Sequence, residues 1–367
     1  KYNGRVNIDY KVNEKFDLGA KISTNYSIND RVRGDQSVNG VLPNAISTPP
    51  VYPVRDELGN YASTGWWDNP VAIGESVTNQ AKSFRNISNI YGTYDILEGL
   101  QFKNQWGFDY YSLREKRFEP NFVKSAINDN GVGVDAATEV FKLTQQSTLT
   151  YIKSFNTIHN FNFLLGYSFE KWDENSSYIL GTQFPSNETR DLDVAALIDA
   201  GATDASSYES GLESLFGRIK YNYDNKYLLD VSLRRDGSSN FGENNRYAYL
   251  PAVSIAWRVN EEYFLQNSRL ISELKLKLSY GLTGNDNIGA FRSLDVYSGG
   301  ANYYGSPGTV PGQISNPDIK WETTSNTNAG IDLGLYNNRI LLSTDFYYNH
   351  TKDLLLFRVL PGSSGFT

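Results

Sequence analysis

The feature that most constrains this chain is a period of two in its hydrophobicity, clearest between Phe216 and Leu265. Leu215, Gly217, Ile219, Tyr221 and Tyr223 fall on one face, against Phe216, Arg218, Lys220, Asn222 and Asp224 on the other. That is the period of a strand, since successive Cβ atoms point to opposite sides of a sheet. After Asp224-Asn225-Lys226 the alternation resumes, with Tyr227, Leu229, Val231 and Leu233 opposite Asp230, Ser232 and Arg234. So short a link makes the two strands antiparallel. A third run sets Tyr247, Tyr249, Val253, Ile255, Trp257 and Val259 against Ala248, Ala252, Ser254, Ala256 and Arg258. The sheet they form has one greasy and one polar face.

Similar hairpins recur along the chain. Arg5 to Ile28 turns at Asn13-Glu14-Lys15, Phe84 to Leu113 at Glu98-Gly99, Val140 to Trp172 near Asn156, and the last hairpin at Asn337-Asn338. Leu274, Leu276, Leu278 and Tyr280 add another strand, for about twelve in all. Between hairpins lie segments without a sustained period: Asn29 to Lys82, with Pro43, Pro49, Pro50 and Pro53; Phe118 to Thr138; Asp173 to Leu212; and Asn285 to Ile314. They read as loops, so connections alternate short and long. That is the habit of outer-membrane barrels, whose turns are short on the periplasmic side and long outside.

Composition agrees. Aromatics make up 14% of 367 residues, with 26 Tyr and 6 Trp, yet the mean hydropathy is on the polar side. A transmembrane β-barrel reconciles the two, because only alternate residues meet lipid and Tyr and Trp line the interfaces. Tyr10, Phe16, Phe155, Phe161, Tyr223, Tyr227 and Tyr336, beside the short turns, are expected to form the inner girdle. No stretch approaches the roughly 18 apolar residues of a spanning helix. A net charge of −7 argues against nucleic acid as a partner. With no Cys there is no disulfide, thiol nucleophile or thiolate metal site. Ile22, Leu229, Leu276 and Leu333 should face lipid, while Lys21, Asp230, Lys277 and Asp332 face the lumen.

Within this pattern, FGR-x-x-Y-x-Y-x-x-KYLL from Phe216, RRDGSSNFG from Arg234 and P-x-x-S-x-x-WR-x-x-EE-x-FL from Pro251 occur in that order. LKLKLSYGLTGNDNIG from Leu274, NPDIKWETTSNTNAGIDLGLYNNRI from Asn316 and the Thr351 to Leu355 pentad follow. Together they resemble the barrel of the SusC/RagA-like TonB-dependent outer-membrane transporters, with a looser likeness upstream that includes Asn69-Pro70-Val71-Ala72. The resemblance implies a plugged barrel of about 22 strands, of which this chain would supply about half as a partial barrel domain over residues 1–367. It also implies energy from TonB, a SusD-like surface lipoprotein as partner, and import of glycan or peptide fragments. The plug and a TonB-box are then expected upstream of Lys1. If this is one part of a wider wall, the strands at Arg5 to Tyr10 and Ile340 to Thr351 should not pair with each other. A passive porin or an adhesin is the alternative.

Catalytic chemistry is not indicated, and no cofactor or metal site is expected. His159 and His350 fall at opposite ends of strands. Asn128-Asp129-Asn130-Gly131 with Asp135 lacks the spacing of a Ca²⁺ loop, and nothing fixes Asp191, Asp193, Glu209 and Glu213 as a glycosidase pair. Arg218, Asp230, Arg234 and Asp236 are candidate polar groups of the lumen, with Asp236-Gly237 shaping a turn and Arg234 and Arg235 pairing with interior carboxylates. Trp66, Trp67, Tyr303 and Tyr304, paired aromatics in the long loops, are the candidates for meeting substrate.

Overall fold

A computed structural model describes all residues except 33–39, 63, 360 and 365–367. The alternating runs become strands β1 (Tyr2–Lys11), β2 (Phe16–Asp30), β3 (Thr78–Leu97), β4 (Leu100–Glu119), β5 (Val132–Phe155) and β6 (His159–Thr182). After the short β7 (Leu197–Ile198) come β8 (Asp204–Tyr223), β9 (Tyr227–Ser238), β10 (Tyr247–Arg258) and β11 (Ile271–Asn285). A small hairpin of β12 (Val296–Ser298) and β13 (Val310–Gln313) precedes β14 (Glu322–Leu335) and β15 (Ile340–Lys352). One sheet holds 13 strands; β7 only flanks β6, which leaves twelve in a single antiparallel path from β1 to β15. β12 and β13 pair apart from it. β1 and β15 each have one neighbour in that path and do not pair with each other, as expected for a piece of a wider wall.

Register carries the two faces across the sheet. Leu229, Ile255, Leu278, Ala329 and Phe346 are successive cross-strand partners on one side. One residue along, Lys220, Asp230, Ser254, Ser279 and Asn328 form the row on the other. Ile22, Leu229, Leu276 and Leu333 lie on the apolar face, and Lys21, Asp230, Lys277 and Asp332 on the polar one. At the tight-turn end, ring contacts link neighbours around the apolar face: Phe16 to Tyr94, Phe155 to Phe161, Phe161 to Tyr221, Tyr223 to Tyr227 and Tyr227 to Trp257. Five of the seven residues expected in the inner girdle take part, Phe16, Phe155, Phe161, Tyr223 and Tyr227, joined by Tyr94, Tyr221 and Trp257. His159 joins it, with Nδ1 2.8 Å from the Tyr221 hydroxyl, while His350 pairs with Ser325 near the far end of β15.

The turns rely on residues that tolerate positive φ: Asn156, Asp224, Asn225, Asn337 and Asn338 adopt it and Gly99 sits at +80°, while Thr157 and Tyr336 are carried into it beside them.

Two expectations are corrected. Asp173 to Leu212 is strand over 173–182, 197–198 and 204–212, and the loop expected over Phe118 to Thr138 narrows to 120–131, because β5 and β6 each run 24 residues and β4 and β8 each 20. At about 3.4 Å per residue such strands outrun the roughly 25 Å apolar band, and their outer ends stand in water. There Lys171 pairs with Asp173 and Glu209, and Arg114 with Asp135. Asn285 to Ile314 contains the whole of the β12–β13 hairpin. On the tight-turn side, the β10–β11 connection is a longer loop over residues 259–270.

Candidate substrate pathway

Polar side chains dominate the lumen face, with rings such as Tyr91, Trp172 and Phe216 among them, and many of its charges are paired locally. Arg218 Nε donates to Asp230 at 2.8 Å, and Arg85 grips Asp109 through two bonds of 3.0 and 2.7 Å. Lys277 reaches Asp332 at 2.8 Å and Asp345 at 3.4 Å, and Lys142 reaches Glu170 at 2.7 Å. Arg234 Nε bonds both oxygens of Asp236, at 2.6 and 2.7 Å, while its Nη2 donates to Ser214 at 2.7 Å. Such pairs keep a polar wall close to neutral. They hold no nucleophile or acid–base dyad, and among the described residues no cluster could hold a metal ion.

Two corrections belong here. Asp236 and Gly237 lie within β9, not in a turn. Arg235, next to Arg234, points to the other face, where its guanidinium lies 3.7 Å from the centre of the Tyr247 ring. Only Arg234 of the two meets an interior carboxylate.

Above the wall, the connections pack into two small cores. In the first, Phe118 and Phe184 meet edge to face at 5.0 Å beside the fully buried Val123 and Ala126. Residues 40–77 dock on it: Asp68 Oδ1 accepts from the Lys124 amide at 2.7 Å, and the Asp68 amide donates to Asn44 at 2.8 Å. The Asn69-Pro70-Val71-Ala72 segment starts the helix α2 (Pro70–Ser76). Asn69 caps it by accepting from the Val71 and Ala72 amides, and Pro70 takes the first turn. Helix α1 (Val41–Ser47) packs against it. In the second core, Phe241, Ala248, Ile288 and Trp321 cluster, and Trp321 Nε1 donates to the Arg246 carbonyl at 3.0 Å.

The candidate aromatics sit at the tips of these connections. Trp66 is 95% exposed, whereas Trp67 is half-buried in the bridge that pairs it with Thr64. Tyr303 and Tyr304 are exposed, with ring centroids 5.6 Å apart. The Trp pair stands over β2–β3 and the Tyr pair over β11–β14, so the fold holds them on distant parts of the rim. Asp191, Glu209 and Glu213 are bound to Lys116, Lys171 and Tyr247. The Asn130 side chain donates to the Phe184 carbonyl as part of a turn.

Residues 9–367 match the family described as TonB dependent receptor-like, beta-barrel. TonB-dependent receptor P3 of Formosa agariphila is 33% identical over 378 residues, covering 98% of this chain and 37% of the relative. TonB-dependent receptor SusC of Bacteroides thetaiotaomicron is 29% identical over 312 residues, covering 81% of this chain and 30% of the relative. The structure of the RagAB peptide transporter superposes with a TM-score of 0.84 at 25% identity, covering 100% of this chain and 42% of that one. The chain thus spans 30 to 37% of the length of these two curated relatives. Strand alternation, open edges, aromatic girdle and these likenesses agree: the chain belongs to the β-barrel family of TonB-dependent receptors, is of the SusC/RagA-like kind, and lies in the outer membrane.

Proposed function

We propose that this chain is one part of the barrel wall of an outer-membrane importer of oligosaccharides or peptides, energised through TonB and working with a SusD-like surface lipoprotein. The observation that carries the reading is the pairing of a polar, charge-neutralised lumen face with an outer face that is apolar and ringed by aromatics. A wall of this kind passes hydrated cargo and holds no catalytic group. Peptide cargo is supported by the likeness to the RagAB peptide transporter. Glycan cargo is supported by the exposed rings of Trp66, Tyr303 and Tyr304, whose flat faces suit sugars as well as peptide side chains. The remaining strands and a plug would come from the rest of the polypeptide.

Uptake by cells carrying the full-length receptor tests this. Replacing Trp66, or Tyr303 and Tyr304 together, by Ala should lower import several-fold while heat-modifiable migration shows an intact barrel. These exposed tips are better targets than deletion of residues 63–70, which would remove the buried Asp68 and Asn69. A lipoprotein should co-purify with the parent receptor. If removing the whole receptor left uptake of every oligosaccharide and peptide unchanged, and no lipoprotein co-purified, a porin or adhesin would replace the importer.

A further inference from the structure

Five of the six connections on the periplasmic side are tight turns, and the sixth, residues 259–270, is not. It is a folded loop. The Glu262 amide bonds the Val259 carbonyl, those of Leu265 and Gln266 bond the Glu262 carbonyl, and that of Ser268 bonds the Leu265 carbonyl. Its first half is tied to the wall, and Glu262 makes the tie on the apolar face. The Glu262 carboxylate accepts from the Tyr227 hydroxyl at 2.6 Å and from Trp257 Nε1 at 3.1 Å. Tyr227 and Trp257 are cross-strand partners on the apolar face, with rings stacked at 6.3 Å in the inner girdle. Glu261 pairs with Arg258 on the polar side at 3.3 Å, so the loop sits across the edge of the wall, and Glu262 fixes the start of the Tyr263-Phe264 stretch beside the lipid-side rings. The next two residues, Tyr263 and Phe264, are 89% and 69% exposed, and Leu270 at the loop's end is half-exposed.

We propose that this loop is a membrane-interface anchor, with Tyr263 and Phe264 seated in the headgroup boundary of the inner leaflet of the outer membrane. The lipid surface is favoured as occupant because the loop continues the girdle, and the girdle marks where the bilayer ends. Amphipathic rings partition to that depth. Arg269, exposed in the same loop, supplies a cation for the phosphate layer. The tight turns carry no comparable pair, so the anchor fixes the depth of the wall at β10 and β11.

Spin labelling of the full-length receptor in phospholipid vesicles reads the depth directly. This chain has no Cys, so with any thiols elsewhere removed, Asn267→Cys places one label beside the rings without replacing them. Glu14→Cys, in the β1–β2 turn, is the aqueous control. Collision with oxygen relative to a water-soluble nickel chelate should be several-fold higher at 267 than at 14. In a Tyr263→Ser, Phe264→Ser background the ratio at 267 should fall to the control value, with heat-modifiable migration retained. Equal ratios at 267 and 14 in the parent receptor would overturn the proposal, as would a ratio at 267 that the Ser substitutions leave unchanged. Low accessibility at 267 to both reagents would also overturn it, by showing that a protein surface covers the loop.

Discussion

Val253 and Ser254 are neighbours on β10 that face opposite solvents, so one substitution made at both separates lipid from lumen. Val253 stands four residues from Trp257 in the inner girdle and four from Tyr249 toward the outer rim, and all three share the apolar face. With a rise of about 3.4 Å per residue and a strand tilt of about 40°, each interval is roughly 10 Å along the membrane normal. That puts Val253 close to the midplane of the apolar band. Its cross-strand partners are Val231 and Tyr280, which offer an arginine no counter-charge. Val253→Arg should therefore cost about 2 to 4 kcal/mol, a shift of roughly 30- to 700-fold in the folding equilibrium. Ser254 instead lies between Asp230 and Ser279 on the polar face. An arginine there can join the Arg218–Asp230 pair, and the expected cost is within about 0.5 kcal/mol. Reversible unfolding of the full-length receptor in phospholipid vesicles, followed by tryptophan fluorescence and heat-modifiable migration, measures both. Equal losses, or a larger loss for Ser254→Arg, would refute the assignment of the faces.

Gly99→Ala should destabilise the β3–β4 hairpin by about 1 to 2 kcal/mol. Its φ is +80°, and a Cβ would lie 2.3 Å from the Ile152 carbonyl oxygen; the fraction of heat-modifiable receptor after refolding reports the loss. Phe241→Ala removes a ring buried to 1% exposure and packed 5.2 Å from Trp321. A local cost of about 3 to 5 kcal/mol should open the Asp286–Trp321 connection to limited proteolysis while the wall stays resistant.

The wall was legible in the sequence because lipid on one side and water on the other demand a period of two. Where that demand ends, so does the signal. Asn175, Ser176 and Ser177 on β6 and Ser206 and Ser207 on β8 meet water on both faces. They show no alternation and read as loop, yet they are paired in register, with the Ser176 and Ser206 hydroxyls 2.7 Å apart. The Arg218–Asp230 pair follows from residues facing one way on adjacent strands of a hairpin with a tight turn. Arg235 was misjudged because its partner, the Tyr247 ring, is fixed by the β9–β10 register across a longer connection. The rim cores were missed for a similar reason. Phe118, Phe184, Phe241 and Trp321 are isolated aromatics in polar surroundings, and their contacts span tens of residues. The β10–β11 loop shows in the sequence as the run after Val259, where Glu262-Tyr263-Phe264-Leu265 follows the last alternating residue, while the other hairpins turn within a few residues.

Two of the segments that carry the family likeness form a structural joint, which limits what they say about cargo. In Arg234 to Gly242, Asp236 holds Arg234 from within the wall, and Ser238 and Phe241 are buried to 1% exposure. Asn240 donates to the Asp286 carbonyl at 3.1 Å. Gly237 lies where a Cβ would strike the Tyr247 ring at 2.4 Å, and Gly242 where one would meet the Pro317 carbonyl oxygen at 2.7 Å. Pro317 and Trp321 belong to the other strong signature, so the two segments are halves of one joint, where a loop over β9–β10 locks to the approach of β14. A joint of buried, mutually dependent residues tolerates little change whatever passes through the barrel. Trp66, Tyr303 and Tyr304 project from the rim beyond either core, and substituting them disturbs no buried contact in the joint. The signature therefore identifies the barrel, and under the importer function proposed above the choice of cargo falls to residues outside it.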